Sequence, residues 1–191
     1  ACAYFIDGPG GTGKTMIYNT LIAYSRSRNI QVIACAWTGI AATLLSGGRT
    51  VHNIFHLPVP ITETSVCNIS PTSKHADYMR STQMFIIDEA SMVLGLALTE
   101  IDCMLRDITN TDIPFVGKLF VLGGDFRQVL PVVPKSPRAV IVENCLKRAP
   151  LWTIFRTFKL TKNMRALESE QKFSEWLLHL GNGKLNRNIP G

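Results

Sequence analysis

Near the start of the chain, Gly8-Pro9-Gly10-Gly11-Thr12-Gly13-Lys14-Thr15 matches the pattern G-x-x-x-x-G-K-[ST] at every fixed position. Glycines at these spacings let successive backbone N–H groups turn inward around an anion. A helix starting near Lys14 adds the positive end of its dipole at the same place. The flanks agree. Ala3-Tyr4-Phe5-Ile6-Asp7 is an apolar run of strand length, and residues 16–27 space Ile17, Leu21, Ile22 and Tyr24 at helical intervals. Strand, glycine loop and helix in that order form the setting of a triphosphate-binding loop. In such a loop Gly8 to Thr15 wrap the phosphates and Lys14 reaches the β- and γ-phosphates. The Thr15 hydroxyl ligates Mg²⁺. The expected ligands are therefore ATP or a similar nucleotide, with Mg²⁺. The loop by itself does not separate kinases, motor ATPases and GTPases.

Further apolar runs at 31–36, 84–89, 118–123 and 155–160 read as strands. Between them, 96–108 and 169–180 read as helices. Shorter helical pieces are expected at 37–45, 51–57 and 137–145, and 58–75 as an irregular excursion. Fully apolar strands alternating with helices imply a mostly parallel sheet covered on both faces, within one α/β domain over 1–191. Ligands of such sheets bind beyond the carboxyl ends of the strands. The glycine loop, Thr38, Asp88-Glu89 and 125–128 all follow strand ends, so they should meet along one edge.

Asp88 and Glu89 close an apolar strand. Beside a triphosphate loop, Asp88 suits the acid that holds the metal, and Glu89 suits a general base polarising the attacking water. Two solvated acids capping a helix would look the same without the loop. An acid pair of this kind favours hydrolysis over small-molecule phosphorylation. Gln128, shortly after the neighbouring strand, can touch both the γ-phosphate and the water. Arg127 beside it reads as solvated.

The net charge of +6 suits a polyanionic partner. The five cysteines are an odd number without any C-x-x-C, which points to free thiols in a reducing, intracellular setting. His52, His56, Cys67 and His75 match no familiar zinc spacing. No apolar run approaches the roughly 20 residues of a membrane span. Both ends read as cut from something longer.

Five blocks in order carry a resemblance. They are Gly8 to Thr15, then Thr38-Gly39-Ile40-Ala41-Ala42, then Ile87-Asp88-Glu89-Ala90-Ser91-Met92. Gly124-Asp125-Phe126-Arg127-Gln128-Val129-Leu130-Pro131-Val132-Val133 and Leu160-Thr161-Lys162-Asn163-Met164-Arg165 follow. The series resembles the Pif family of 5′-to-3′ DNA helicases in superfamily one, and its wording is especially similar to the helicase part of Helitron transposon proteins. The resemblance implies a P-loop NTPase fold, RecA-like, and the first motor domain of an ATP-dependent DNA helicase. Roles in replication, repair, recombination, telomere maintenance or transposition go with it, in the nucleus or mitochondrion of a eukaryote. It implies Gln128 as γ-phosphate sensor and Arg165 as a catalytic arginine alongside Lys14 and Glu89. It also implies a second RecA-like domain as partner, and single-stranded DNA across the top of this one. Thr38, Gly39, Thr50, His52 and Asn53 would contact that strand. Phe55 would offer a stacking face, with core packing as the competing expectation. The family's adenine-reading glutamine lies upstream of the first strand and has no counterpart here. A catalytically inert, nucleotide-gated DNA-binding module is the alternative. A ring-forming ATPase fits the Gln128 block poorly.

Overall fold

The computed structural model of the chain describes residues 2–128, 131–133, 136–166 and 170–183. Val129 and Leu130 of the fourth block, and Ser169 at the expected helix start, lie outside the described residues.

The apolar runs become strands β1 (Ala3–Asp7), β2 (Val32–Ala36), β4 (Met84–Asp88), β5 (Leu119–Gly124) and β6 (Phe155–Lys159), joined by a two-residue β3 (Arg49–Thr50). They form one six-stranded sheet in the order β3-β2-β4-β5-β1-β6. Every pairing is parallel, with Ala36 level with Asp88, and Asp7 level with both Gly124 and Lys159. These registers bring the carboxyl ends of the strands to a common rim.

The period of two along each strand divides the core. Ile6, Ala34, Ala36, Met84, Ile86 and Val121 face one way, with Tyr18 and Ile22 of α1 (Lys14–Ser27) and Ala41 and Ala42 of α2 (Gly39–Thr43). Phe5, Ile33, Cys35, Phe85, Ile87, Phe120 and Leu122 face the other. There they meet α3 (Val51–Phe55), α4 (Lys74–Ser81) and α5 (Gly95–Thr109), the last burying Leu98, Ile101, Leu105 and Ile108. Two helices follow, α6 (Arg138–Glu143) and α7 (Gln171–Gly181). The fold is that of a RecA-like P-loop NTPase.

Two elements depart from expectation. β3 is too short to show alternation. α4 begins where the irregular excursion was expected to end. Its sequence buries only Ala76 and Met79, so no apolar stripe announces it. Local polar chemistry sustains it instead: the Ser73 hydroxyl accepts the Ala76 N–H, and Arg80 pairs with Asp77 at 2.7 Å.

Candidate nucleotide-binding site

β1 delivers the chain to the rim at Asp7, and α1 leaves it at Lys14. Between them Gly11 and Gly13 take φ of +84° and +90°, a backbone that side chains other than glycine rarely adopt. Space is short as well: a Cβ on Gly11 would stand 2.8 Å from the Asn163 Oδ1. The fifth block is folded onto the loop here, with the Met164 N–H donating to the Gly11 carbonyl at 2.9 Å. That contact delivers Arg165 to the glycine loop. Lys14 turns its ammonium into the loop, donating to the carbonyls of Gly8 at 2.6 Å and Pro9 at 3.3 Å. The Thr12 hydroxyl donates to Pro9 as well, at 2.8 Å.

β4 is buried along its whole length. Asp88 follows Met84 and Ile86 on the α1 side of the sheet, so its carboxylate points toward the start of α1. Glu89 would point the opposite way if the strand continued. It has instead a φ of +57°, and the turn brings both acids to one cavity. The Glu89 N–H donates to the Asp88 Oδ1 at 2.8 Å.

Both acids titrate above their ordinary ranges. Burial is the main cause for each. The Asp88 charge pushes Glu89 up further, while the Lys14 ammonium pulls both down. With the folded value above the unfolded one, the native state binds more protons between the two. Stability contributed by Asp88 is therefore lost as pH rises through that window. Asp88→Asn is expected to raise the urea midpoint of the metal-free protein at neutral pH. The gain should shrink toward pH about 4, where an unfolded aspartate protonates. Urea unfolding at the two pH values measures this, and an equal gain at both would remove the burial argument.

Gln128 arrives from β5 through a turn built on Asp125. The buried Asp125 carboxylate accepts Arg127 Nε at 2.7 Å and the Arg127 N–H at 3.1 Å, and its carbonyl accepts the Gln128 N–H at 3.1 Å. Arg127, expected to be solvated, is thus ion-paired with Asp125 and lies 3.9 Å from Asp7. The Asp-x-Arg spacing, with an acid that can bond the backbone two residues on, was the available signal. Gln128 Nε2 comes to 3.6 Å from where a Cβ on Gly10 would stand.

The result is a cavity of about 380 Å³ whose walls include Gly10, Gly11, Gly13, Lys14, Thr15, Asp88, Glu89, Gln128 and Arg165. Its walls carry the cationic side chains of Lys14 and Arg165 together with the hydroxyl of Thr15 and the carboxylates of Asp88 and Glu89. The oxygen set of Thr15, Asp88 and Glu89 fits a hard divalent cation such as Mg²⁺ rather than a thiolate-seeking metal. The buried Tyr18 hydroxyl, which closes no hydrogen bond among the described residues, adds a further polar group near Asp88. A larger hollow of about 510 Å³ lies nearby, lined by Asp7, Arg127, Lys159 and Glu175 among others. Lys14 and the acids do not border it, so it is not where phosphates would sit.

The residues expected at DNA fall into four groups. Gly39 and Asn53 are exposed. Thr38 and Thr50 sit at the rim, but their hydroxyl oxygens already cap α2 and α3 by accepting the N–H of Ala41 and Asn53. Each keeps its O–H proton for an outside acceptor. Half-buried His52 packs against Trp37 with ring centroids 4.6 Å apart, and burial lowers its pKa, so it is neutral at pH 7. Phe55 corrects the expectation of a stacking face. It is fully buried, 5.7 Å from the Phe85 ring, and cannot meet a base. Val51, Ile54 and Phe55 follow the i, i+3, i+4 rule of a core-facing stripe, which outweighs the likeness in wording. His56 and His75 stack at 4.6 Å and approach the carbonyls of Asn68 and Ile54. Trp37, half-buried beside Thr38, was not singled out by the sequence reading. Its backbone N–H donates to the Asp88 carbonyl at 3.2 Å, joining the rim at Thr38 to the acid strand.

Comparison with known proteins agrees with this geometry. The model of the PIF1-like helicase family matches residues 1–189. The ATP-dependent DNA helicase RRM3 of Saccharomyces cerevisiae is 32% identical over 97% of the chain and 26% of its own length. The ATP-dependent DNA helicase Pif1 of a Psychrobacter species is 36% identical over 67% of the chain and 20% of its own length. Among solved structures, Bacteroides Pif1 bound to single-stranded DNA superposes with a TM-score of 0.83 and 31% identity, covering 97% of this chain and 44% of that one. The chain therefore spans between about a fifth and somewhat under half of the length of these relatives. With the family model matched from residue 1 to residue 189, the chain belongs to the PIF1-like helicases.

Proposed function

We propose that the chain is the nucleotide-driven first motor domain of a 5′-to-3′ DNA helicase, binding ATP with Mg²⁺ and contacting single-stranded DNA. The observation that carries this reading is the single cavity shared by Lys14, Thr15, Asp88, Glu89, Gln128 and Arg165. Bacteroides Pif1 has been solved with ADP-AlF3 and single-stranded DNA, and this chain matches it over 97% of its length, which supports the assignment. Gly8 to Gly13 would wrap the phosphates, and Lys14 and Arg165 would balance charge on the γ-phosphoryl group. Thr15 and Asp88 would hold Mg²⁺, which supplies charge neutralisation at the phosphates. Glu89 would take the proton of the attacking water while Gln128 orients it. A second RecA-like domain of the same protein would close over the site, and the 44% coverage of Bacteroides Pif1 fits one half of such a pair.

The DNA strand would cross the rim at Thr38, Gly39, Thr50, His52 and Asn53. Backbone N–H groups and hydroxyls there offer hydrogen bonds to phosphates rather than to base edges, which suits binding without sequence preference. With His52 neutral, the attraction comes from the lysine and arginine excess. Binding of fluorescent oligo-dT, followed by anisotropy, should weaken steeply with salt. Three or four phosphate contacts at about −0.7 each give a log–log slope of about −2 to −3. A flat salt response would remove the electrostatic contact and with it the DNA-binding half of the proposal.

A further inference from the structure

Tyr18 is fully buried, and among the described residues its hydroxyl closes no hydrogen bond. A buried polar group left in that state is rare and unfavourable. The fold makes room for it by an unusual means. A Cβ on Gly123 would stand 1.5 Å from the Tyr18 oxygen, so the hydroxyl occupies the space that any other residue at 123 would fill. A glycine inside a central strand weakens the strand, and here it opens a socket.

The socket adjoins the acid strand. Ile87 of β4 is level with Leu122 of β5, which sets Asp88 beside Gly123 at the next step. Met84 and Ile86 share a face with Val121, so Asp88 and Gly123 both point toward α1. On α1, Tyr18 lies one turn after Lys14, and helical side chains lean back toward the N-terminus. The phenol is therefore aimed at the rear of the metal acid. The Asp88 carboxylate is near enough to act on the phenol both by its charge and as a hydrogen-bond acceptor. Among the described residues, though, the hydroxyl closes no hydrogen bond of ordinary geometry.

We propose that Tyr18 is a positioning residue for Asp88, its O–H donating to the carboxylate once nucleotide and Mg²⁺ occupy the cavity. A carboxylate held in front by a cation offers its rear oxygen to the phenol as a charge-assisted acceptor. The bond would fix the carboxylate's rotation as outer partners of metal ligands do elsewhere. The arrangement trades metal-free stability for a prepared metal ligand.

This inference rests on the nucleotide site proposed above, and one experiment separates the two. Tyr18→Phe keeps the ring and removes one oxygen. A fluorescent ATP analogue is titrated into the 191-residue chain in EDTA and at graded Mg²⁺, alongside metal-free thermal melting. The variant should bind the analogue as the parent does in EDTA and melt at the same temperature or higher. The Mg²⁺ concentration giving half of the metal-dependent gain should rise by about tenfold or more, the effect of losing an outer partner of a metal ligand. An unchanged Mg²⁺ midpoint overturns the role of Tyr18 while the nucleotide site stands, and a lowered melting temperature would then mark it as packing alone. A parent chain that gains nothing from Mg²⁺ overturns both.

Discussion

Lys14→Ala is expected to lower the affinity for ATP by about 100-fold or more. A hydrogen bond to a charged group contributes about 1.5–3 kcal/mol, and each 1.4 kcal/mol is a factor of ten in affinity. Two such bonds to phosphate oxygens account for that loss. The side chain is already turned into the loop, where it donates to the Gly8 and Pro9 carbonyls, so little ordering remains to oppose binding. Its removal takes the ammonium donor from the carbonyls of buried Gly8 and half-buried Pro9, so a modest fall in melting temperature should accompany the loss of binding. Affinity is therefore compared below the melting transition of the variant, where loss of binding is separated from loss of fold. Titration with a fluorescent ATP analogue, with circular dichroism of both proteins, measures the two together. Undiminished binding by a folded variant would move the phosphate site away from this loop.

What was legible in the sequence follows from what kind of physics holds each part. The central strands face helices on both sides, so their apolar runs are unbroken and easy to read. α5 shows its stripe because one face is buried along several turns. The glycine loop is legible because a left-handed backbone and close approach admit few residues. The acid pair is legible as a pair, but its convergence depends on the positive φ at Glu89, which no residue type there announces. α4 was missed because a cap and an ion pair sustain it rather than a stripe. For Phe55 the helical spacing favours the core and the likeness to a family block favours a stacking face, and its full burial decides for the core. Tyr18 shows the limit most clearly. In sequence it is one apolar-facing helix position, and its meaning depends on the absence of a side chain at Gly123 on a strand far along the chain.

The same rim joins the two ligands that the chain is proposed to hold. Trp37 and Thr38 follow the end of β2, Thr50 ends β3, and Asp88 ends β4 beside β2. The bond from Trp37 N–H to the Asp88 carbonyl continues the sheet ladder by one step beyond the strand. A shift of the acid strand end on nucleotide loading would be passed to the DNA side through backbone, without an intervening flexible side chain.

Glu89→Gln is expected to leave ATP affinity within about threefold while slowing hydrolysis by about 100- to 10,000-fold, the usual contribution of a general base. The assay is steady-state phosphate release by a protein that carries this domain joined to the proposed second motor domain. Glutamine keeps the size and polarity of the side chain but cannot take a proton from water. The local structure is compatible with the role in two ways. A non-glycine residue held at a φ of +57° is unfavourable, and such backbone persists where surroundings impose it, often at functional sites. Burial and the neighbouring Asp88 charge also raise the Glu89 pKa, which makes its carboxylate a stronger base once ionised. The base must be deprotonated to act, so turnover should fall as pH drops through a value above the ordinary glutamate range of about 4.3. Wild-type turnover in Glu89→Gln would take the residue out of the reaction. Retention of the acid limb by a slowed variant would assign that limb to Asp88 instead, whose own pKa burial also raises.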